Sequence, residues 1–412
     1  MLLTLVPTVA LADTTYDVTV CGKQVTNANM NDVLGDADDG ATVVYTPAEK
    51  TEGNAKLTLK DAKLNKFINY FGDETLDIEV IGENTITLPN DSMSGIVTWR
   101  VNGDNTNASL NIYGSGTLTV VFNDTIATQN NGIFANNNLT IKDITLEVTT
   151  GNVNEYNRGL RAGNDLTIDG AKVSAITATS TSKSTNALYA SHDVIIKNGA
   201  DVTAVAGNSQ STAVGEGSVA IYATHDVKIS GDKTKVNATA KVGLNSCGIS
   251  AKNAVEISGG TVTATAGTAD ATYGASVGIL APKSVTINGG KVTAQAGSGA
   301  LTAAIAATAD GVNFGKLIVG AEKNVAEISG AKDNLENVIT EGNGVIKSGA
   351  IIQQDAKKPV VIDFASRNSI VTLLAVAVST TIAVRAITGA AKLVIGVPVA
   401  LGILSRLVFR WF

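Results

Sequence analysis

In the stretch "ALYASHDVIIKNGADVTAVA" (187–206), apolar and polar side chains alternate in three short bursts. Alternation with period two marks a strand with one buried face. It places Leu188, Ala190, Val194, Ile196, Val202, Ala204 and Ala206 on one side, with Tyr189, Ile195 and Thr203 on the other. No burst is long enough, or spaced at three to four residues, to predict a helix. Asn198-Gly199 separates the second burst from the third, and both residue types tolerate the positive φ of a tight turn. The predicted unit is three short strands.

That unit recurs. Copies start at "GIFANNNLTIKDITLEV" (132), "GLRAGNDLTIDGAKVSA" (159), "ALYASHDVIIKNGADVTA" (187), "AIYATHDVKISGDKTKVNA" (220), "GISAKNAVEISGGTVTATAG" (248) and "GILAPKSVTINGGKVTAQAG" (278), and the pattern fades at "AIAATADGVNFGKLIVG" (304). Over its clear part the starts lie 27 to 33 residues apart. The variation falls in one Ser/Thr/Gly-rich stretch after each third strand, such as "GNSQSTAVGEGS" (207–218). A fixed body with one elastic segment describes a coil with a variable loop. One such coil cannot bury its apolar face alone, so stability must come from stacking many. The predicted fold is therefore all-β, a parallel β-helix with right-handed crossovers. Less regular rungs at "LTLKDAKL" (57–64), "LDIEVIGENTITL" (76–88) and "LNIYGSGTLTVVF" (110–122) extend it towards the N-terminus. The domain reading is a cap over 13–56, the β-helix over 57–330, and a C-terminal cap and linker over 331–368.

The two ends differ from this body. Residues 1–12, "MLLTLVPTVALA", form an apolar run closing on Ala10-Leu11-Ala12, the small-x-small pattern of a signal-peptide cleavage site, though without a basic start. Residues 369–412 are almost wholly apolar and are expected to be helical and membrane-associated, because a span needs ~20 apolar residues. Arg385 and Lys392 interrupt the run, leaving one tilted span or two short segments open. No LPxTG sorting motif occurs.

Composition narrows the function classes. A formal charge of -6 argues against nucleic acid, which needs clustered Lys and Arg to displace counterions from phosphates. Two cysteines, Cys21 and Cys247, are too few for a disulfide framework and too far apart for a metal motif. No HExxH or CxxC is present, and "GSGTLTV" (114–120) lacks the lysine of a phosphate-binding loop.

The segments "YDVTVCGKQVTNANMNDVLGD" (16–36), "LTLKDAKL", "GENTITL" and "GSGTLTV" resemble the start of bacterial cell-surface proteins described as carbohydrate-binding-domain-containing, β-helical proteins common in gut Firmicutes. The resemblance covers the N-terminal cap and the rungs. It implies a surface protein that binds glycans, and it supplies no catalytic residues.

Two columns emerge when the copies are aligned. The only two histidines, in "HD" pairs at 192–193 and 225–226, fall at equivalent turn positions shared with Asn137-Asn138, Asn164-Asp165, Asn253-Ala254 and Lys283-Ser284. Neighbouring rungs lie ~4.8 Å apart, so Asp165, Asp193 and Asp226 form a row of carboxylates on what is expected to be an exposed turn. Three readings stay open: ordinary turn residues bonding nearby backbone, weak Ca²⁺ binding, and hydrolysis by paired carboxylates. The histidines could also hold a transition metal between rungs, with only two ligands. The second column is the outward position of strand one, filled by Phe134, Arg161, Tyr189 and Tyr222, then Ser250 and Leu280. In a chain with 4% aromatics this is either a platform for stacking sugar rings or a side-chain ladder that stabilises the sheet. Arg158, Arg161, Asp165 and Asp193 form the one loose cluster that could be catalytic.

The expected function is extracellular and non-catalytic: a membrane-anchored, adhesin-like surface protein that binds glycans, with no required cofactor. A polysaccharide lyase or hydrolase, and a purely structural stalk, are the competing classes.

Overall fold

In the computed structural model the described residues are 14–364, apart from 37–41, 52, 90–92, 100–106, 124–127, 308–314, 321–325, 332–344, 347–348, 352 and 356. Expectations for residues 1–12 and 369–412 lie outside them. The described chain is nearly all-β, with one helical turn at Ala48–Thr51. Among the described residues no helix is long and apolar enough to cross a membrane.

The strands run parallel in long sheets, consistent with a β-helix. The coil at 185–206 shows the unit: Thr185–Ala190, Val194–Lys197 and Asp201–Ala206. Each pairs in parallel with the equivalent strand one repeat before and one after, so three ladders build up side by side. In two later coils the second and third strands fuse into single strands, Ala254–Thr265 and Ser284–Gln295.

The alternation read from the sequence is the alternation observed. Leu188, Ala190, Val194, Ile196, Val202, Ala204 and Ala206 are all fully buried. Like residues sit over like: Leu160 pairs Leu188, which pairs Ile221, then Ile249, Ile279 and Ile305. Each such side chain contributes about 1.5–3 kcal/mol on burial, but only because the coils above and below complete its surroundings. The turn between strands two and three has Asn198 at φ 57° and Gly199 at φ 83°, the left-handed conformations these residue types accommodate.

A buried hydroxyl column explains how loops of different length leave the register intact. Ser218 Oγ donates to the Gly207 carbonyl at 2.7 Å, Ser246 Oγ to Lys241 at 2.7 Å and Ser276 Oγ to Gly267 at 2.7 Å. Each bond ties the first strand of a coil to the chain leaving the third strand before it. The loop between is pinned at both ends, whatever its length.

Antiparallel strands close the ladders at both ends. Thr15–Val20 pairs antiparallel with Lys23–Thr26 and Ile68–Tyr70, and Val43–Thr46 with Ala55–Lys60. At the other end Val360–Asp363 pairs antiparallel with Ser284–Gln295, and Ala350–Ile351 with Leu301–Ala306. Such strands cover the unpaired backbone groups that an open ladder would present to other chains. Cys21 and Cys247 are both free thiols.

Candidate functional site

The turns after successive first strands carry a hydrogen-bond ladder that runs from Asn138 to Ala254. Asn138 Oδ1 accepts from Asn164 Nδ2 at 2.9 Å and from the Asp165 N–H at 3.2 Å. One coil on, Asp165 Oδ1 accepts from His192 Nδ1 at 2.7 Å and the Asp193 N–H at 3.0 Å. Asp193 Oδ1 then accepts from His225 Nδ1 at 2.7 Å and the Asp226 N–H at 3.0 Å. Asp226 Oδ1 accepts from Asn253 Nδ2 at 2.6 Å and the Ala254 N–H at 3.0 Å. Asn and His both fill the donor column because each offers a side-chain N–H at the same reach. An ionised carboxylate only accepts, so both histidines must place their proton on Nδ1.

This geometry favours the structural reading of the "HD" pairs. The row is less exposed than a turn suggests: Asp193 is only 5% exposed, because its oxygens face the next coil rather than water. Its second oxygen takes Lys228 Nζ at 2.5 Å, and the same ammonium lies 3.5 Å from Asp226 Oδ2. Lys228 therefore stands where a cation between these two carboxylates would. Burial pushes the Asp193 carboxyl up, but the bonds from Lys228, His225 and the Asp226 N–H together hold it below the usual carboxylate value. His192, Asp193 and His225 bring metal-ligand atoms within 4.8 Å of one another. The imidazoles stack at 4.5 Å with planes 5° apart. An ion in the plane of one ring is then out of the plane of the other, and both Nδ1 atoms already serve carboxylates.

The outward column of strand one is brought together as the alignment implies. Phe134 pairs Arg161, Arg161 pairs Tyr189 and Tyr189 pairs Tyr222. Its members differ in access. Phe134 is buried, with the Arg161 guanidinium 4.1 Å above its ring, so it offers no open stacking surface. Tyr189 and Tyr222 are half-buried and tilted, with ring centroids 5.7 Å apart. Burial raises the Tyr222 hydroxyl to about 12.

Arg158 belongs to this face, although strict alternation from Leu160 sends it inward. The ladder skips Gly159 in its register, and a Cβ there would lie 2.6 Å from the Ala187 carbonyl oxygen. The chain bulges at that glycine, and Arg158 emerges outward with its guanidinium 4.2 Å from the Tyr156 ring centroid and 4.5 Å from that of Tyr189. The clue in the sequence is the recurring small residue at this point, Gly132, Gly159, Ala187, Ala220, Gly248 and Gly278. The same bulge takes Cys247 out of the main core into an outer cluster with Val277, Ala303 and Ala306. Burial there raises the Cys247 thiol to about 12, making it a weak nucleophile.

Arg158, Arg161, Asp165 and Asp193 are engaged in separate contacts. The two arginines stack on rings, whereas the two aspartates serve the turn ladder. A further feature, missed by the alignment, is an open groove of about 540 Å³ on the outer face of the second ladder. It is lined by Asp77, Asn111, Tyr113, Thr140, Lys142 and Asp143. Asp77 is engaged there by Asn54 at 3.1 Å and Asn111 at 2.8 Å.

Comparison of the chain with known protein families, curated proteins and solved structures finds no match. The resemblance to carbohydrate-binding surface proteins therefore stands on the quoted segments alone.

Proposed function

We propose that this chain is a non-catalytic glycan-binding protein of the cell surface, whose contact face is the outer side of the first ladder. The observation that carries this reading is the Tyr189–Tyr222 pair: two half-buried rings in register on adjacent coils, 5.7 Å apart, in a chain poor in aromatics. Aromatic faces bury the apolar face of a sugar ring while its hydroxyls remain free to bond polar neighbours. Single contacts of this kind are weak, and a repeating ligand engaging successive coils gains by multivalency.

The finer picture belongs to the same proposal. The coils wind right-handedly, as parallel crossovers do, with 13–56 and 331–368 as closing caps. Residues 1–12 direct export, and 369–412 hold the protein at a membrane. The antiparallel strands at both ends support the caps.

The test is a glycan array on the full chain, with a reducing-sugar assay run in parallel. Retention without product, lost in Tyr189→Ala/Tyr222→Ala with the β-sheet circular dichroism unchanged, is the expected result. Unaltered retention in that variant removes the tyrosine platform. Product release overturns the non-catalytic reading in favour of a polysaccharide-degrading enzyme, and silence in both assays leaves a structural stalk.

A further inference from the structure

The face that carries Tyr189 also carries two guanidinium groups, Arg158 buried and Arg161 half-buried. Arg158 is 7% exposed, and its Nε has no hydrogen-bond partner; nor does the buried Nε of Arg161. Among the described residues neither guanidinium makes an ion pair. Each is held by ring faces: Arg158 by Tyr156 and Tyr189, and Arg161 by Phe134. Lys183 adds a third cation, 5.8 Å from the Tyr156 ring centroid.

The carboxylate beside this group is already engaged. Glu216 accepts from the Tyr156 hydroxyl at 3.2 Å and from Ser184 Oγ, with Lys183 Nζ 3.9 Å away. A chain of formal charge -6 has thus gathered Arg158 and Lys183 near Glu216, with Arg161 beside Arg158. Burial, and then the neighbouring Arg161 charge, pull the Arg158 guanidinium down to about 10, while burial lowers Arg161. Cation–π contacts offset part of that desolvation, but an unpaired buried charge is a cost that folding alone gives no reason to bear.

A lone acceptor accompanies these lone donors. Asn131, paired in register with Arg158, has a buried Oδ1 without a partner. Donors for an anion, an acceptor for a hydroxyl and the half-buried ring of Tyr189 thus lie on one face, and a sugar acid matches all three.

We infer that the glycan recognised at this face is acidic, a uronate-type sugar whose carboxylate is taken by Arg158 and Arg161 while its ring stacks beside Tyr189. This rests on the glycan-binding reading above and specifies its ligand. Arginine suits the task because its planar fork matches a carboxylate with two parallel hydrogen bonds.

The experiment measures retention of the full chain on polygalacturonate, on its fully methyl-esterified form and on dextran sulfate. Esterification removes the charge and leaves the sugar ring, so the wild-type comparison does not depend on any variant folding. Polygalacturonate is expected to be retained about tenfold more tightly than the ester, and more tightly than dextran sulfate. Arg158→Met and Arg161→Met, which keep apolar stems over the rings, should each abolish that preference. Equal retention of acid and ester overturns the acidic assignment while leaving glycan binding standing, as does retention of neutral array glycans alone. Retention of dextran sulfate as tight as that of polygalacturonate overturns it in favour of unspecific charge. No retention of any glycan removes both readings.

Discussion

Asp193 and Arg158 are both charged, both buried and one coil apart, yet their surroundings are opposite. Asp193 has both oxygens occupied, by His225, the Asp226 N–H and Lys228. Arg158 has an orphaned Nε and ring faces in place of a carboxylate. Buried polar groups in folded proteins are almost always satisfied, and each exception asks for a reason. The aspartate column needs none beyond the fold, because its members complete one another from coil to coil. The arginine column has no such completion within the described chain. Where local rules of consistency are broken, function is the usual cause.

If that contrast is right, truncation should act very differently at the two positions. The largest effect is expected at Asp193→Ala, which leaves the Asp226 N–H and the His225 Nδ1–H without an acceptor and Lys228 without its closest partner. Lys228 and His225 are partly exposed and can turn to water, so the destabilisation should be about 2–3 kcal/mol. Asp193→Asn should cost about half as much, since Asn138 fills the same acceptor role one end of the ladder away. Urea unfolding of both variants checks this. An alanine variant as stable as wild type would reduce the ladder to decoration.

These roles are unequally legible in the sequence. Period-two alternation assigns the buried faces because a stacked coil has a dry side and a wet side, and Leu188, Val194 and Val202 obey it. Fixed spacing places His192 over His225 and Tyr189 over Tyr222, because parallel ladders conserve register. The chemistry of each column is harder to see. Asp, Asn and His in a turn read alike whether they bond their own backbone or the next coil, and only the structure shows an oxygen aimed one coil forward. Arg158 is hidden by the bulge at Gly159, which breaks the alternation used to assign faces. Phe134 reads as an open ring because sequence cannot show a guanidinium lying over it.

The mirror-image substitution is Arg161→Met. It removes an unpaired, desolvated charge and places a thioether near the Phe134 ring, an arrangement that is itself favourable. The cation–π attraction it deletes is worth about 0.5–2 kcal/mol, and relief of the desolvation is of similar size. Stability should therefore change by less than about 1 kcal/mol, while the preference for acidic polymer disappears. A destabilisation as large as that of Asp193→Ala would place Arg161 among the structural residues and erase the contrast.

The smallest effect tests whether the turn ladder uses its histidines as anything more than donors. The hydrogen bond to Asp165, outweighing partial burial, raises His192 above its ordinary value of 6.5; the Asp193 and Asp165 charges add to this and Lys228 opposes it. Because the folded value is the higher one, protonated His192 favours the fold. That contribution is complete below the unfolded value and is lost as pH rises through the folded one. Wild-type stability should accordingly fall between pH 6 and pH 8. His192 is about half exposed, so solvent screening limits the change to a few tenths of a kcal/mol. His192→Asn supplies an amide donor, as Asn164 and Asn253 do in the same column, but cannot titrate. Urea midpoints at the two pH values should differ for wild type and coincide for the variant. The depressed Asp193 carboxyl acts in the opposite sense and far from this window: its contribution is lost only as pH falls below the ordinary carboxylate range. A wild-type profile flat from pH 6 to 8 would make His192 interchangeable with asparagine, and the "HD" pairs no more than one way of filling a ladder that Asn-Asp fills as well.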